Sequence, residues 1–169
     1  MRFVKNKILP FVTVLTIGAC GWQLRDSQVG SNDIGSVRLI FEQPYDQLLT
    51  ELSRTLEAYG VDTLEHSSTA DYSVVLTDVR RIRRTSSMNS DARVAEYQLF
   101  EEVDFMILDQ SGKILLKPST ASVERVYEFL ENDVLASSRE EWMVKRDMRL
   151  EIIRQIIDRL QVLPKSSEN

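Results

Sequence analysis

The stretch "AEYQLFEEVDFMILD" (residues 95–109) decides the fold of this chain. Apolar residues fall on alternate positions, namely Ala95, Tyr97, Leu99, Val103, Phe105 and Ile107. Polar residues such as Glu96, Gln98, Glu102 and Asp104 fill most of the places between them. This period of two predicts a β-strand with one buried and one wet face. Phe100 and Glu101 interrupt the alternation, which predicts a β-bulge.

The segments on either side of this strand predict two more strands, joined to it by turns. "YSVVLTDVRRIRR" (72–84) reads as a strand, and "SSMNSDAR" (86–93) after it as a turn, so a loop near Asn89 places Arg84 opposite Glu96. "DQSGK" (109–113) is a turn signal that folds the chain back onto residues 114–129. Pro118 limits where that last strand can lie in a sheet. The whole predicts an antiparallel meander.

Two helices are predicted outside this meander, and a short strand, "VRLIF" (37–41), precedes the first. Pro44 suits the first turn of a helix, and Gly60 suits its end. Its apolar stripe is Tyr45, Leu48, Leu49, Leu52, Leu56 and Tyr59. The second helix spans about 138–160, with Ser138 and Glu141 as a capping box. Its apolar stripe is Met143, Leu150, Ile153, Ile157 and Leu160, flanked by Ile152 and Ile156.

These elements define the expected fold class and domain organisation. We expect an α+β domain in which two helices pack on one face of a mainly antiparallel, roughly four-stranded sheet. No internal repeat and no second domain boundary is visible in the 169 residues. The domain is predicted over 37–163, followed by a short polar tail, 164–169.

The first 19 residues have the plan of a signal peptide. Arg2, Lys5 and Lys7 precede an uncharged apolar run of about 12 residues, and Gly18 and Ala19 follow it. The run is too short for the ~20 residues that a membrane-spanning helix requires. Pro10 and the basic flank argue against a buried helix of a globular domain.

The cysteine after the leader predicts a lipid anchor. Ile17-Gly18-Ala19-Cys20 looks like a bacterial lipobox, in which the cysteine sulfur receives a diacylglycerol and the new amino terminus is acylated. One acyl chain anchors a protein only marginally, whereas three hold it firmly. Residues 20–36 would then be the lipidated N-terminus and a tether. A soluble secreted protein cut before Cys20 is the alternative.

Composition argues against several classes of function. The net charge is −5, and about −8 without residues 1–19, so no general basic surface is available for nucleic acid. One cysteine and one histidine, His66, give neither a disulfide framework nor a metal cluster. Glycine-rich phosphate loops are absent, and Glu101 and Glu102 are neighbours that a strand sends to opposite faces. We therefore expect no enzyme activity, no cofactor and no metal.

An arginine cluster is the most informative charged feature. Residues 80–93 contain Arg80, Arg81, Arg83, Arg84 and Arg93, and residues 96–109 contain five acids and no base. Cross-strand ion pairing explains such a pattern. A cationic site near the loop for phosphorylated sugar head groups is a second explanation, because arginine binds phosphate bidentately. Protection of a sheet edge is a third.

Several motifs together resemble the lipopolysaccharide-assembly lipoprotein family LptE. They are "CGWQLRD" after the leader, "AEYQL" at the start of the long strand, and "MVK" in the last helix. The resemblance implies a lipid-anchored domain on the periplasmic face of the outer membrane. It also implies a plug in the lumen of the β-barrel LptD that helps to deliver lipopolysaccharide to the cell surface. Arg93 and Arg139 are the nearest matches to the family's lipopolysaccharide-contacting basic site, and Arg84 joins them as a candidate.

Two other classes of function remain open from the sequence. One is a lipid-anchored periplasmic module that binds another envelope ligand or peptidoglycan. The other is a small hydrolase that uses paired carboxylates.

Overall fold

The computed structural model describes residues 34–41, 47–64 and 70–163. These residues form seven elements, in the order β1 (Ser36–Phe41), α1 (Gln47–Ala58), β2 (Asp62–Thr63), β3 (Tyr72–Met88), β4 (Val94–Asp109), β5 (Ile114–Glu128) and α2 (Val134–Gln161). The predicted domain start at residue 37 lies one residue inside β1.

The sheet has five strands in the order β2-β1-β3-β4-β5. The prediction of four strands was wrong by one, because β2 has only two residues and therefore no periodicity to detect. β3, β4 and β5 form the predicted antiparallel meander, whereas β1 pairs in parallel with both β2 and β3. The sheet is therefore mixed and mostly antiparallel, with both helices joined to it through one hydrophobic core.

The helix α1 supplies the predicted stripe to this core. Leu48, Leu52 and Leu56 are buried at a spacing of four residues, which brings them to one side of the helix. Gly60 follows with a φ of +76°, the left-handed conformation expected of a residue that ends a helix. Pro44 and Tyr45 lie outside the described residues.

The start and the buried side of α2 differ from the prediction. The helix begins at Val134, and the Asp133 side chain caps it by accepting a hydrogen bond of 2.9 Å from the Ala136 amide. The Ser138 capping box was therefore wrong. The apolar residues Met143 and Leu150, predicted in the core stripe, are 52% and 36% exposed. The buried residues of the helix include Met148, Ile152, Ile153, Ile156, Ile157 and Leu160.

The reason is that α2 is much longer than α1. Arg149 of α2 contacts Glu51, near the N-terminal end of α1, at 3.3 Å. From that point onward α2 has both the sheet and α1 beside it, and a wide side of the helix is buried. The part before Arg149 extends past α1, so only the side that faces the sheet is covered. One apolar stripe along the whole helix therefore does not predict which residues are buried in both of its parts.

The register of the β3–β4 hairpin also differs from the prediction. Arg84 lies opposite Gln98, and Glu96 lies opposite Ser87, from whose hydroxyl it accepts a bond of 2.7 Å. The loop is centred on Asp91 because Asn89 bonds the amides of Asp91 and Arg93, both at 3.0 Å. Because the loop centre lies one residue later than predicted, Arg84 pairs with a β4 residue two positions later than predicted.

No bulge interrupts β4 at Phe100 and Glu101, where the sequence predicted one. Both residues pair in regular register, with Ile82 and Arg81 respectively, and the shifts in the β3–β4 ladder lie near residues 77 and 86. Glu101 therefore points to the same side as Leu99 and Val103, towards the helices. An acid on the core side of a continuous strand produced the break in the sequence pattern.

A close contact joins the beginnings of β1 and β3. The Asp71 carboxylate accepts hydrogen bonds from the amide of Ser36, at 2.7 Å, and from its hydroxyl, at 2.8 Å. These bonds, the amide bond first, lower the pKa of Asp71. Gly35 precedes them with a φ of +69°, and a Cβ atom there would lie 2.4 Å from the Asp71 carboxylate.

We expect Gly35→Ala to lower the free energy of unfolding by about 1–3 kcal/mol, because alanine is strained at this φ and its methyl group displaces Asp71. Gly112→Ala is the matched control: its φ is +84°, but no atom lies within 4 Å of the added Cβ. Urea unfolding of both variants separates strain from collision. Equal losses at the two positions would contradict a role for the Asp71 contact.

Candidate functional site

Arg80 lies in an ion-pair network on the side of the sheet away from the helices. Its guanidinium contacts Asp78 at 2.7 Å, Glu102 at 3.0 Å and Asp104 at 2.7 Å. The hydrogen bonds from Arg80, followed by the one from Thr120, lower the pKa of Asp104. Three carboxylates accept four hydrogen bonds from this guanidinium and neutralise its charge, which makes Arg80 poorly suited to an added phosphate and favours a structural role.

Arg81 points to the opposite side and pairs with Glu101. Its Nε atom lies 2.8 Å from a Glu101 carboxylate oxygen, and the Glu101 side chain is only 4% exposed. A nearly buried carboxylate requires such a partner because desolvation disfavours the isolated charge. This pair was not predicted from the sequence. The signal was present, since Glu101 has the same strand parity as Leu99 and Val103.

Arg83 belongs to a third cluster, between β5 and α2. Glu141 accepts hydrogen bonds from Tyr127 at 2.6 Å and Arg83 at 3.0 Å, and contacts Lys145 at 2.5 Å. Burial, reinforced by the bond to Glu141, raises the pKa of Tyr127 to about 12. Burial also works to raise the pKa of Glu141, yet the bonds from Lys145 and Tyr127 hold it below its usual value. These contacts fasten the first half of α2 to the sheet.

Most of the arginine cluster is thus ion-paired within the fold, namely Arg80, Arg81, Arg83 and Arg93. Cross-strand ion pairing, the first of the three explanations given by the sequence, is observed for Arg80 and Arg81. Only Arg80 and Arg81 pair across to the neighbouring strand, since Arg83 reaches α2 and Arg93 reaches the segment before it.

The three candidate arginines lie in different parts of the molecule. Arg84 lies over the ring of Phe100, 5.1 Å from its centroid, on the side of the sheet away from the helices. Arg93, in the β3–β4 loop, pairs with Glu131 at 2.8 Å. Arg139 is exposed on α2, and no hydrogen bond or ion pair connects it to another described residue.

A cavity of about 440 Å³ adjoins Arg93. Its lining comes from the β3–β4 loop and the segment between β5 and α2, and it includes four acids, Asp91, Glu128, Glu131 and Asp133. Arg93 is the only basic residue among them, and it is already paired. The cavity is therefore lined mainly by negative charge, which does not favour an anion. Binding of an anion would require Glu131 to release Arg93, or other cations to come near.

Cys20 and His66 lie outside the described residues. Over residues 34–41, 47–64 and 70–163, no group of three or more histidine, cysteine, aspartate or glutamate side chains is arranged so that it could hold a metal ion. Neither α1 nor α2 combines the length and the apolar character that a bilayer-spanning helix needs.

Solved structures share this fold. Rare lipoprotein B from Shewanella oneidensis matches with a TM-score of 0.64 and 22% identity, covering 74% of this chain and 92% of that one. A lipoprotein B from Nitrosomonas europaea matches with a TM-score of 0.65 and 21% identity, covering 75% and 80%. At these identities the comparison shows the fold class: the chain has the two-helix α+β fold found in these bacterial lipoproteins.

The family follows from the sequence. Residues 35–160, three quarters of the chain, match the sequence model of the family described as "LptE: Lipopolysaccharide-assembly", and the chain belongs to that family. A relative from Photorhabdus laumondii, named LPS-assembly lipoprotein LptE, is 26% identical over 163 residues, covering 95% of this chain and 87% of its own length. The resemblance seen in the short motifs is confirmed.

Proposed function

We propose that this protein is a non-enzymatic outer-membrane lipoprotein that acts in lipopolysaccharide assembly as the partner of the β-barrel protein LptD. The observation that carries the proposal is the family match over residues 35–160, which covers nearly the whole folded domain. The leader and Cys20 add the location: a lipid anchor in the outer membrane with the domain on the periplasmic side.

The exposed side of the sheet supports a position inside a barrel lumen. Among the described residues no helix covers that side, and Ile82, Val126 and Ile114 are 43%, 47% and 52% exposed there. Between them lies the polar network around Arg80. A mixed surface of this kind suits an enclosing wall that is itself largely polar, such as the interior of a large barrel.

Co-purification tests the partnership. Tagged protein extracted from outer membranes with mild detergent is expected to bring down a large β-barrel protein in about equal amount. Cys20→Ser, which removes the predicted anchor, is the control for location, and fractionation of the envelope shows whether the protein leaves the outer membrane. Recovery of the wild-type protein without a barrel would overturn the partnership and favour a binding module for another envelope ligand.

Lipopolysaccharide contact is proposed for Arg139, Arg93 and Arg84, with Arg139 first. Arg139 has no described partner to give up, whereas Arg93 must first leave Glu131. Arginine binds phosphate through a charge-assisted, bidentate contact.

We expect Arg139→Glu to weaken lipopolysaccharide binding about tenfold, the effect of losing one charged hydrogen-bonded contact. Its thermal midpoint is expected to stay within about 2 °C of wild type, because no described contact is lost. Arg93→Glu is expected to weaken binding less and to lower the midpoint, since it places a second acid beside Glu131. Binding of fluorescent lipopolysaccharide and a melting curve test both, with Arg54→Glu on α1 as the control. A loss of stability in Arg139→Glu would contradict its assignment to binding.

A further inference from the structure

The N-terminal part of α2, up to Leu150, carries an exposed stripe that neither the core nor the proposed lumen contact explains. We define the α2 stripe as Leu135, Arg139, Trp142, Met143, Arg146 and Leu150. Leu135 is 76% exposed and Trp142 57%. Large apolar side chains rarely gather on the surface of a soluble domain unless they mark a contact.

The stripe points away from the sheet. At 100° per residue its six members fall within a sector of about 100°. The side of α2 that faces the sheet lies opposite, where Ser137 and Met148 are buried. The stripe runs about 22 Å along the helix, since each residue adds 1.5 Å.

Its charge is of one sign. Arg139 and Arg146 are its charged members, and the acids Glu140, Asp147 and Glu151 lie about 40–80° outside the sector. Arg146 lies over the ring of Trp142, 6.0 Å from its centroid, so a cation and an aromatic surface are held together. Leucine, methionine and tryptophan interleaved with arginine are the residues of helices that lie in the interface of a membrane.

We propose that the α2 stripe docks on the surface of an anionic phospholipid bilayer. Trp142, Leu135 and Met143 would enter the boundary between head groups and acyl chains, and the two arginines would contact lipid phosphates. This contact is separate from the lipid anchor, and it shares Arg139 with the proposed lipopolysaccharide contact. It would hold the domain against the leaflet whenever α2 is free of another partner.

The shape and charge of the stripe favour a bilayer over a protein. A single helix side is convex and matches a broad flat surface. A second copy of the chain would bring Arg139 and Arg146 against the same arginines of its partner, and that repulsion opposes a symmetric dimer.

Tryptophan fluorescence tests the proposal, because the chain has only two tryptophans, Trp22 and Trp142. The Trp22→Phe protein, extracted from membranes and reconstituted into vesicles of phosphatidylglycerol and phosphatidylethanolamine, reports on the stripe alone. Brominated acyl chains quench a tryptophan that reaches them. We expect the Trp142 emission to shift to the blue and to fall in brominated vesicles relative to ordinary ones. In Trp142→Phe, Trp22 beside Cys20 reports on the anchor instead.

Charge reversal supplies the second comparison. Each arginine near an anionic surface changes the binding equilibrium about fivefold, so Arg139→Glu with Arg146→Glu is expected to shift the docked-to-undocked ratio at least about 25-fold and abolish quenching of Trp142. Arg54→Glu with Lys117→Glu makes the same charge change elsewhere and is expected to leave quenching intact. Quenching of Trp22 without quenching of Trp142 would overturn the proposal while leaving the anchor standing. Equal quenching in both double variants would overturn the assignment of the arginines and with it the docking surface.

Discussion

Ile153→Ala is expected to lower the free energy of unfolding by about 2–5 kcal/mol, the usual range for removing a large aliphatic side chain from a packed core. Ile153 is 1% exposed and lies in the half of α2 that has both α1 and the sheet beside it. Its neighbours in the core are buried side chains of α1 and of the sheet, which cannot all close in on the space left by three missing carbon atoms. Denaturation by urea, followed by circular dichroism, gives the value.

Leu150→Ala is the matched control for Ile153→Ala. It lies three residues earlier on the same helix but is 36% exposed, and its loss is expected to stay below about 1 kcal/mol. The pair tests the corrected position of α2, because the sequence stripe had placed both residues in the core. Similar losses for the two variants would show that Leu150 is packed as tightly as Ile153, which would contradict its 36% exposure.

Arg81→Met is expected to be the second most damaging change, at about 2–4 kcal/mol. The methionine keeps much of the apolar stem but leaves the Glu101 carboxylate, which is 4% exposed, without its 2.8 Å partner. Loss of one member of a buried pair costs about 3–5 kcal/mol, and the value here is placed lower because Arg81 is itself 46% exposed. Water can therefore reach part of the space that the guanidinium vacates.

Two further variants make this prediction specific. Arg84→Met changes another arginine of the same strand, whose charge lies over Phe100 rather than beside an acid, and is expected to cost less than about 1 kcal/mol. Adding Glu101→Leu to Arg81→Met is expected to recover most of the lost stability, because no buried charge then remains. A double variant as unstable as Arg81→Met alone would mean that Arg81 acts through contacts other than Glu101.

The sequence predicted correctly those parts of the fold that depend on residues close together in the chain. The alternation in β4, the stripe of α1 and the left-handed Gly60 each depend on a few neighbouring residues, and each is observed. By contrast, the short β2 depends on pairing with β1, which is distant in the chain. The position of the β3–β4 loop depends on the hydrogen bonds of a single side chain, that of Asn89. The sequence contains those residues but not the partners that decide their roles.

The candidate site shows the same limit. The arginines were visible in the sequence, but which of them are occupied depends on acids brought close by the fold, such as Glu141, which is 58 residues from Arg83. Trp142 was visible too, yet its exposure follows from the length difference between α1 and α2. Neither relation can be read from spacing along the chain.

The place of β1 in the sheet has a consequence for the order in which contacts become possible. β1 lies between β2 and β3, and Val37 pairs with Tyr72, so its main neighbour is made some 35 residues after it. β3 and β4 are joined by a short loop, and the entropy of closing a loop grows with its length. The meander can therefore assemble from local turns. β1, the first strand of the domain, can pair with its main neighbour only after β3 has formed.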